Sequence, residues 1–429
     1  MKILFIMPRM GLYKKGRGFR KTLTYAPLTL TTLASLVPEE LNSEMRIIDE
    51  GVEECDYDSL EPDIVCITGI TGHILRAYEI ADSFRKRGIT VIMGGVHSTL
   101  MPEEAKLHSD SVVVGHAYKT FPQALKDWKA GRLKDFYRDD NPSFEKIPIP
   151  RRDLLDKKGY ITINTTQAVF GCPCNCEFCI ISATRAGYHH RPIHEVIEEI
   201  KDLKAKLVFF LDPSPIEDKN YIKELYRQMI PLKINWMGLS TSRIIDDSEL
   251  LSLAHKSGCS GLLIGFESVS EKSLKKMNKN FNNLEKHYRL IRELHKRDIA
   301  IMGCFVFGSD EDESSVFGET VEFCIKTGID LPRFTVYTPF PTTPIFNRLK
   351  EEGRILTTDW SKYNCQNVVF RPKRMTVRQL ESGLEYAWTE SYKFKNIARR
   401  ILRSRTRSLL MTVANMGYRY YSKDHEKYK

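Results

Sequence analysis

The chain has 429 residues, more than one ordinary domain holds, so two or three domains are expected. Hydrophobic residues make up 42% and charged residues 28%, enough to build real cores, and no run of about 18 apolar residues suggests a membrane-spanning helix. The net charge of +10 is concentrated at one end. From Lys393 to Lys429 there are eleven Lys and Arg against two Asp and Glu, so the tail carries +9 and the body is nearly neutral, which argues against a broad nucleic-acid-binding face on the body.

The opening "MKILFIMPRM" meets charge at once and lacks a small-residue cleavage site, so it reads as a first β-strand and not a signal peptide. Ten cysteines without a secretory signal point to a reducing compartment, the cytoplasm, where clustered thiols more often bind metal than form disulfides. Over residues 1–136 the strands "KILFIMP", "MRIID", "DIVCITGI", "TVIMGG" and "SVVVG" alternate with helical patterns. Apolar strands separated by amphipathic helices imply a parallel sheet covered on both faces. A ligand would sit at its carboxyl ends, where the turns "TGITG" (68–72) and "GGVHST" (94–99) fall.

Residues 137–160 lose this pattern and gain prolines and charges, as a linker does. A second strand–helix series then fills 161–350: "TTQAVFG", "KLVFFLD", "INWMGLST", "GLLIGFES", "IAIMGCFVFG" and "RFTVYTPFP". Six βα units in order predict a partial (β/α)6 barrel with its chemistry at the strand C-terminal ends. Residues 351–429 form a helical extension, which completes an α/β chain with a Rossmann-like parallel sheet first and a barrel second.

Directly after the first barrel strand stands "FGCPCNCEFCI" (170–180). Cys172, Cys176 and Cys179 are spaced C-x3-C-x2-C, with Cys174 as an extra thiol. A zinc site would use all four, or take a ligand from His189, His190 or His194, but structural zinc usually joins two separated C-x2-C pairs. Three thiolates in one loop suit a [4Fe–4S] cluster with one iron left free of protein ligands.

This loop after the first strand of a βα barrel resembles the radical S-adenosylmethionine (SAM) superfamily. The resemblance extends through "GGVHSTLMPEEA", "YHHRPIHEVIEEI", "IGFESVSEKSL", "FVFGSDEDE", "TPFPTTPIFNRLKEEGRI" and "DWSKYN" to the cobalamin-binding class of that superfamily. It implies that the open iron chelates the amino and carboxylate groups of SAM, and that an electron from the cluster splits the sulfonium to give a 5′-deoxyadenosyl radical. It places Phe178 near the adenine, Asp212 near the SAM amino group, Ser240 and Arg243 near its ribose and carboxylate, and Glu267 on the adenine side. In the first domain it assigns cobalamin contacts to Thr68, Gly69, Gly94, Gly95, His97 and Gly115. The D-x-H-x-x-G pattern that supplies a histidine to cobalt is missing, so cobalamin would bind without that ligand. Two further departures are His116 and Tyr118 where relatives carry an acidic G-E-x-E, and Thr342 where they carry glycine.

The implied reaction is methylation of an unactivated carbon on a lipid or secondary metabolite, with an electron donor such as ferredoxin or flavodoxin. The alternatives are cyclisation, C–C coupling or rearrangement without cobalamin, and a non-enzymatic zinc-bound scaffold or RNA-binding protein. His255, His287 and His295 lie in charged helical patterns and are expected to face solvent. Cys66, Cys259, Cys304 and Cys324 lie in apolar runs and read as core residues. The tail (393–423) pairs arginines with an apolar stripe of Ile397, Ile401, Leu402, Leu409 and Leu410. Three readings stay open for it: a capping helix, a peripheral contact with an anionic membrane or lipid-like substrate at the inner face, and RNA binding.

Overall fold

The apolar runs of the first domain become strands because each is flanked by helices that bury both of its faces. The computed structural model describes residues 1–9 and 26–424. Strands β1 (Lys2–Met7), β2 (Glu44–Asp49), β3 (Ile64–Thr68), β4 (Thr90–Gly94), β5 (Ser111–Val114) and β6 (Phe136–Arg138) form one parallel sheet in the order β2-β1-β3-β4-β5-β6. Helix Ile74–Lys86 covers one face, while helices Leu28–Ser35 and Thr120–Lys129 cover the other. Strand β6 runs to Arg138, into the segment expected to be linker from 137. Its three residues are too few to show a strand period in sequence, and only pairing with β5 holds them extended.

The second sheet has β7 (Thr165–Thr166), β10 (Leu207–Phe210), β11 (Asn235–Ser240), β12 (Cys259–Glu267), β13 (Ala300–Phe307) and β14 (Leu331–Val336) in the order β14-β13-β12-β11-β10-β7, all parallel. The expected single strand 165–171 is divided. Beyond β7 the chain leaves the sheet, and β8 (Val169–Gly171) pairs antiparallel with β9 (Tyr188–His190). The cysteine loop is therefore the excursion of a hairpin whose base is closed. Gly171, just before Cys172, sits at φ +70°, and a Cβ there would lie 1.8 Å from the Gly187 carbonyl oxygen. Only glycine allows that crossing.

The C-terminal extension covers the open edge of β14, a row of backbone groups that would otherwise invite pairing with another chain. Helices Val377–Ser391 and Ser408–Asp424 pack there, with Phe394–Ser404 against both and against helix Val316–Thr327. Trp388 Nε1 donates to Phe334 O at 3.1 Å, and the Tyr392 hydroxyl to Pro332 O at 2.8 Å. Arg400 is fully buried and donates to the carbonyls of Ile329, Asp330 and Ser391 and to Asn415 Oδ1. Part of the tail's positive charge is thus structural, which supports the capping reading; residues 425–429 of that tail lie outside the described residues. The expected apolar stripe also divides, with Ile397 buried and Leu402, Leu409 and Leu410 exposed.

Two histidines expected at the surface are inside. His287 is 0% exposed between Phe266 and Phe323, because its helix turns that position toward β12. His295 bonds through Nε2 to buried Asp330 at 3.1 Å. His255 is exposed as expected. Cys66, Cys259 and Cys324 are buried and Cys304 partly so, and burial raises all four thiols above their ordinary range.

Candidate active site

The cysteine loop is held from three sides. Glu177 accepts from the Tyr337 hydroxyl at 2.6 Å and from Arg348 at 3.3 Å, which ties the loop to the end of β14 and the helix behind it. Arg348 also reaches Asp310, as does Arg354. On the opposite side Asn278 Nδ2 donates to Asn175 O at 2.8 Å. The third tie is Arg243, which pairs with Glu217 at 2.6 Å, lies 4.2 Å over the Phe281 ring and reaches Cys174 Sγ at 3.9 Å.

Within the loop, the Cys172 thiol is hydrogen-bonded with Cys174, which lowers Cys172 to about 6 and pushes Cys174 up. Cys176 is buried, and that burial raises it to about 11 against the opposing pull of Lys279. Among the described residues no three Cys, His, Asp or Glu side chains converge at metal-ligand distance; Cys172 is turned toward Cys174. The fit to an iron–sulfur cluster lies in donor chemistry: three soft thiols on one loop, with the cations Lys279 and Arg243 beside it.

Lys279 is the residue that sequence reasoning missed. Its ammonium pairs with Glu267 at 3.1 Å and stands 6.0 Å over Phe178 and 5.3 Å over Phe281. Burial works to lower it, but Glu267 and the thiols of Cys176 and Cys179 outweigh that and hold it above its ordinary value. Glu267 itself sits at φ +65°, a backbone position costly for any residue but glycine. Phe178, Arg243 and Glu267 are therefore gathered at the loop. Ser240 closes β11, but its hydroxyl turns to Thr241 O at 3.2 Å. Asp212 is engaged by the backbone: Oδ1 accepts from the N–H groups of Ala168 and Val169, and burial lifts the carboxyl to about 7. It anchors the chain entering the cysteine loop, and that oxygen is not free for a SAM amino group.

A cavity of about 530 Å³ lies between the two sheets. Thr68, Gly94, Gly95 and Gly115 line it from the ends of β3, β4 and β5, and Phe170, Gly171, Leu211 and Pro213 line it from the barrel. At Gly95, φ +96°, a Cβ would lie 2.6 Å from Thr68 Oγ1, so the two glycine turns meet without side chains. This is the cradle a large planar group requires, and the residues fit cobalamin. His97 does not line this cavity. It is 0% exposed, bonded to Thr71 Oγ1 at 3.2 Å and to Glu104 at 3.3 Å, because its short helix turns it away from the cavity. Gly69 lies beneath, its carbonyl accepting from the His97 N–H. His116 and Tyr118 line the cavity instead, packed with Phe144, Phe170 and, for His116, His189 in an aromatic wall that joins the two domains. Thr342, in place of the resembling glycine, keeps φ +63°.

Family models match as Radical SAM superfamily over residues 167–323, B12 binding domain over 35–125, and Domain of unknown function (DUF4070) over 343–415. The chain is 31% identical over 388 residues to Bacteriochlorophyllide d C-12(1)-methyltransferase of Chlorobaculum tepidum, covering 87% of this chain and 84% of the relative. The chain belongs to the cobalamin-binding class of radical SAM enzymes. Bacteriochlorophyllide d C-8(2)-methyltransferase of the same organism is 30% identical over 417 residues, 91% of each chain. The radical SAM methyltransferase TsrM of Kitasatospora setae, solved with tryptophan and a SAM analogue, shares the fold at TM-score 0.68 and 14% identity, over 99% of this chain and 98% of that one. The cofactors of this radical SAM enzyme are accordingly a [4Fe–4S] cluster, SAM and cobalamin.

Proposed function

We propose that the enzyme methylates an unactivated carbon on a lipid-like or secondary-metabolite substrate in a cobalamin-dependent reaction. The observation that carries this reading is adjacency: the glycine cradle at the ends of β3, β4 and β5 faces Phe170 and Gly171, the residues that lead into Cys172. Two relatives named for methylating bacteriochlorophyllide d support it.

When bound, cobalamin supplies a methyl carrier, and the cluster with SAM supplies the radical that opens an unactivated C–H bond. The chain's own residues do the positioning. Cys172, Cys176 and Cys179 would hold the cluster, and Arg243, Lys279 and Phe178 would place the anionic and aromatic parts of SAM beside it. Thr68, Gly94, Gly95 and Gly115 would seat the corrin edge, and the His116–Phe170 wall would exclude water between the two sites. An electron donor such as ferredoxin or flavodoxin would feed the cluster, and the enzyme would work at the inner face of a membrane, where a lipid-like substrate resides.

The test is anaerobic purification with iron, sulfide and cobalamin quantified, followed by SAM cleavage and transfer of isotopically labelled methyl from SAM to cobalamin. One cluster and one cobalamin per chain with labelled transfer are expected. A well-folded chain that takes up a full cluster and no cobalamin would overturn the methylation reading in favour of a rearrangement.

A further inference from the structure

Helix Ser408–Asp424 is apolar on two sides. Its inner side buries Met411, Asn415 and Tyr418, with Tyr418 stacked on Trp388 and Tyr392 and Asn415 bonded to Asp330 O at 3.0 Å. Its outer side carries Leu409, Val413, Met416 and Tyr420, spaced to lie along one stripe and 83%, 65%, 36% and 48% exposed. That stripe is roughly 16 Å long at the rise of an α-helix. Leu410 stands beside it, and Leu402 is exposed just before the turn. Lys395, Arg399 and Arg403 are exposed on the preceding helix and Arg405 in the turn between the two. No Asp or Glu occurs between Glu390 and Asp424.

We propose that this face lies on an anionic lipid bilayer, with the apolar row entering the boundary between headgroups and acyl chains and the basic side chains on lipid phosphates. Charge decides the occupant. A second copy docked by a two-fold axis would set these cations against their own image, with no acid on the two helices before Asp424 to pair them, and Asp298, which meets the turn between the helices, is already bonded to Arg407. A nucleic acid would use the charge but leave the apolar row unexplained. An interfacial helix uses both. The proposal rests on the lipid-like substrate reading for its purpose only, and its failure reads out separately.

The test is co-flotation of the full-length, cofactor-loaded enzyme with vesicles of phosphatidylcholine alone or with phosphatidylglycerol added. Binding is expected to the anionic vesicles, with little to the neutral ones, and to fall as salt rises from roughly 0.1 to 0.5 M. Leu409→Glu with Val413→Glu should weaken it by at least about tenfold, and Lys395→Glu with Arg399→Glu by a similar factor. Both pairs are exposed, so melting temperature and cluster content should match the parent and certify the fold. Equal binding by parent and variants, or no binding by a correctly folded parent, overturns the proposal. So does a parent dimer that the Leu409→Glu and Val413→Glu pair converts to monomer, which would make the face an interface between copies. Failure of the methylation reading looks different: absent cobalamin, or no methyl transfer, in a chain that still floats with vesicles.

Discussion

Lys279 is nine-tenths buried, yet among the described residues Glu267 alone forms an ion pair with it, and the thiols of Cys176 and Cys179 share its field. A fixed cation beside a cluster favours the reduced, more negative state, so it raises the reduction potential. Lys279→Met should lower that potential by on the order of 50–100 mV, from the Coulomb energy of unit charges several ångströms apart at an effective dielectric near 20. Redox titration followed by electron paramagnetic resonance checks it, and Lys279→Arg should restore most of the shift; an unmoved potential in Lys279→Met would count against it. The cysteines give a second expectation. Cys172→Ala, Cys176→Ala and Cys179→Ala should each lose the cluster and SAM cleavage, whereas Cys174→Ala should keep both, since Cys174 stands outside the C-x3-C-x2-C spacing and meets Cys172 and Arg243. Iron content comparable to the other three in Cys174→Ala would mean the ligand set is different. At this scale the cysteines were legible because spacing alone encodes their loop. Lys279 was not, because "KKMNKN" shows three lysines and nothing local says which one the fold buries.

At the scale of elements, the turn after β4 and the helix Leu284–His295 make opposite points. Gly95 was legible as a turn glycine, and its reason is steric: φ +96°, with Thr68 Oγ1 and the Gly69 backbone within 3 Å of any Cβ. Gly95→Ala should cost on the order of 2–4 kcal/mol locally and sharply reduce cobalamin uptake while leaving the cluster intact. Gly115→Ala is the control, because its φ of +79° is strained but its Cβ would meet open space. Cobalamin-to-iron ratios separate the two. The sequence hides the burial of His287, because its helix is charged on the outer face and one inward histidine does not break that pattern. Among the described residues neither of its ring nitrogens has a hydrogen-bond partner. Burial, with Lys286 adding to it, lowers its value from 6.5 to about 4. Between those values the unfolded chain binds a proton that the folded one does not, so stability rises with pH across that window and is lost as pH falls from about 6.5 toward 4. His73, held to about 4 mainly by burial, acts in the same direction. His287→Leu should therefore stabilise by about 2 kcal/mol at pH 5 and by less at pH 8. Denaturant unfolding at the two values tests this, and an equal effect at both would contradict it.

At the scale of the molecule, what sequence could not show is how the C-terminal extension binds two domains into one. Helix periodicity in the tail gave charge and apolar positions, but which arginine is buried depends on the carbonyls at the β13–β14 connection, far away in the chain. The same holds for residues 355–370. Ile355, Val368 and Phe370 pack with the barrel core, whereas Trp360, Tyr363 and Val369 pack with the first domain. Trp360 Nε1 donates to Glu104 at 3.1 Å, its ring meets His97 at 5.6 Å, and Glu104 also holds His97 and the Tyr78 hydroxyl. His97 is thus the far end of an interdomain staple. Removing the indole deletes that staple without touching the cavity or the cysteine loop. Trp360→Ala should cost about 3–5 kcal/mol, the range for losing a buried aromatic, and the loss should fall mainly on the first domain. Calorimetry should show one cooperative transition in the parent and an earlier, separate first-domain transition in the variant. Cobalamin, whose cradle needs both domains in register, should bind more weakly, while cluster content and uncoupled SAM cleavage persist. Trp360→Phe, which keeps the ring but not the N–H, should recover most of the stability and leave Glu104 short of one donor. A single unshifted transition in Trp360→Ala would mean that the aromatic wall of His116, Phe144 and Phe170 alone couples the domains.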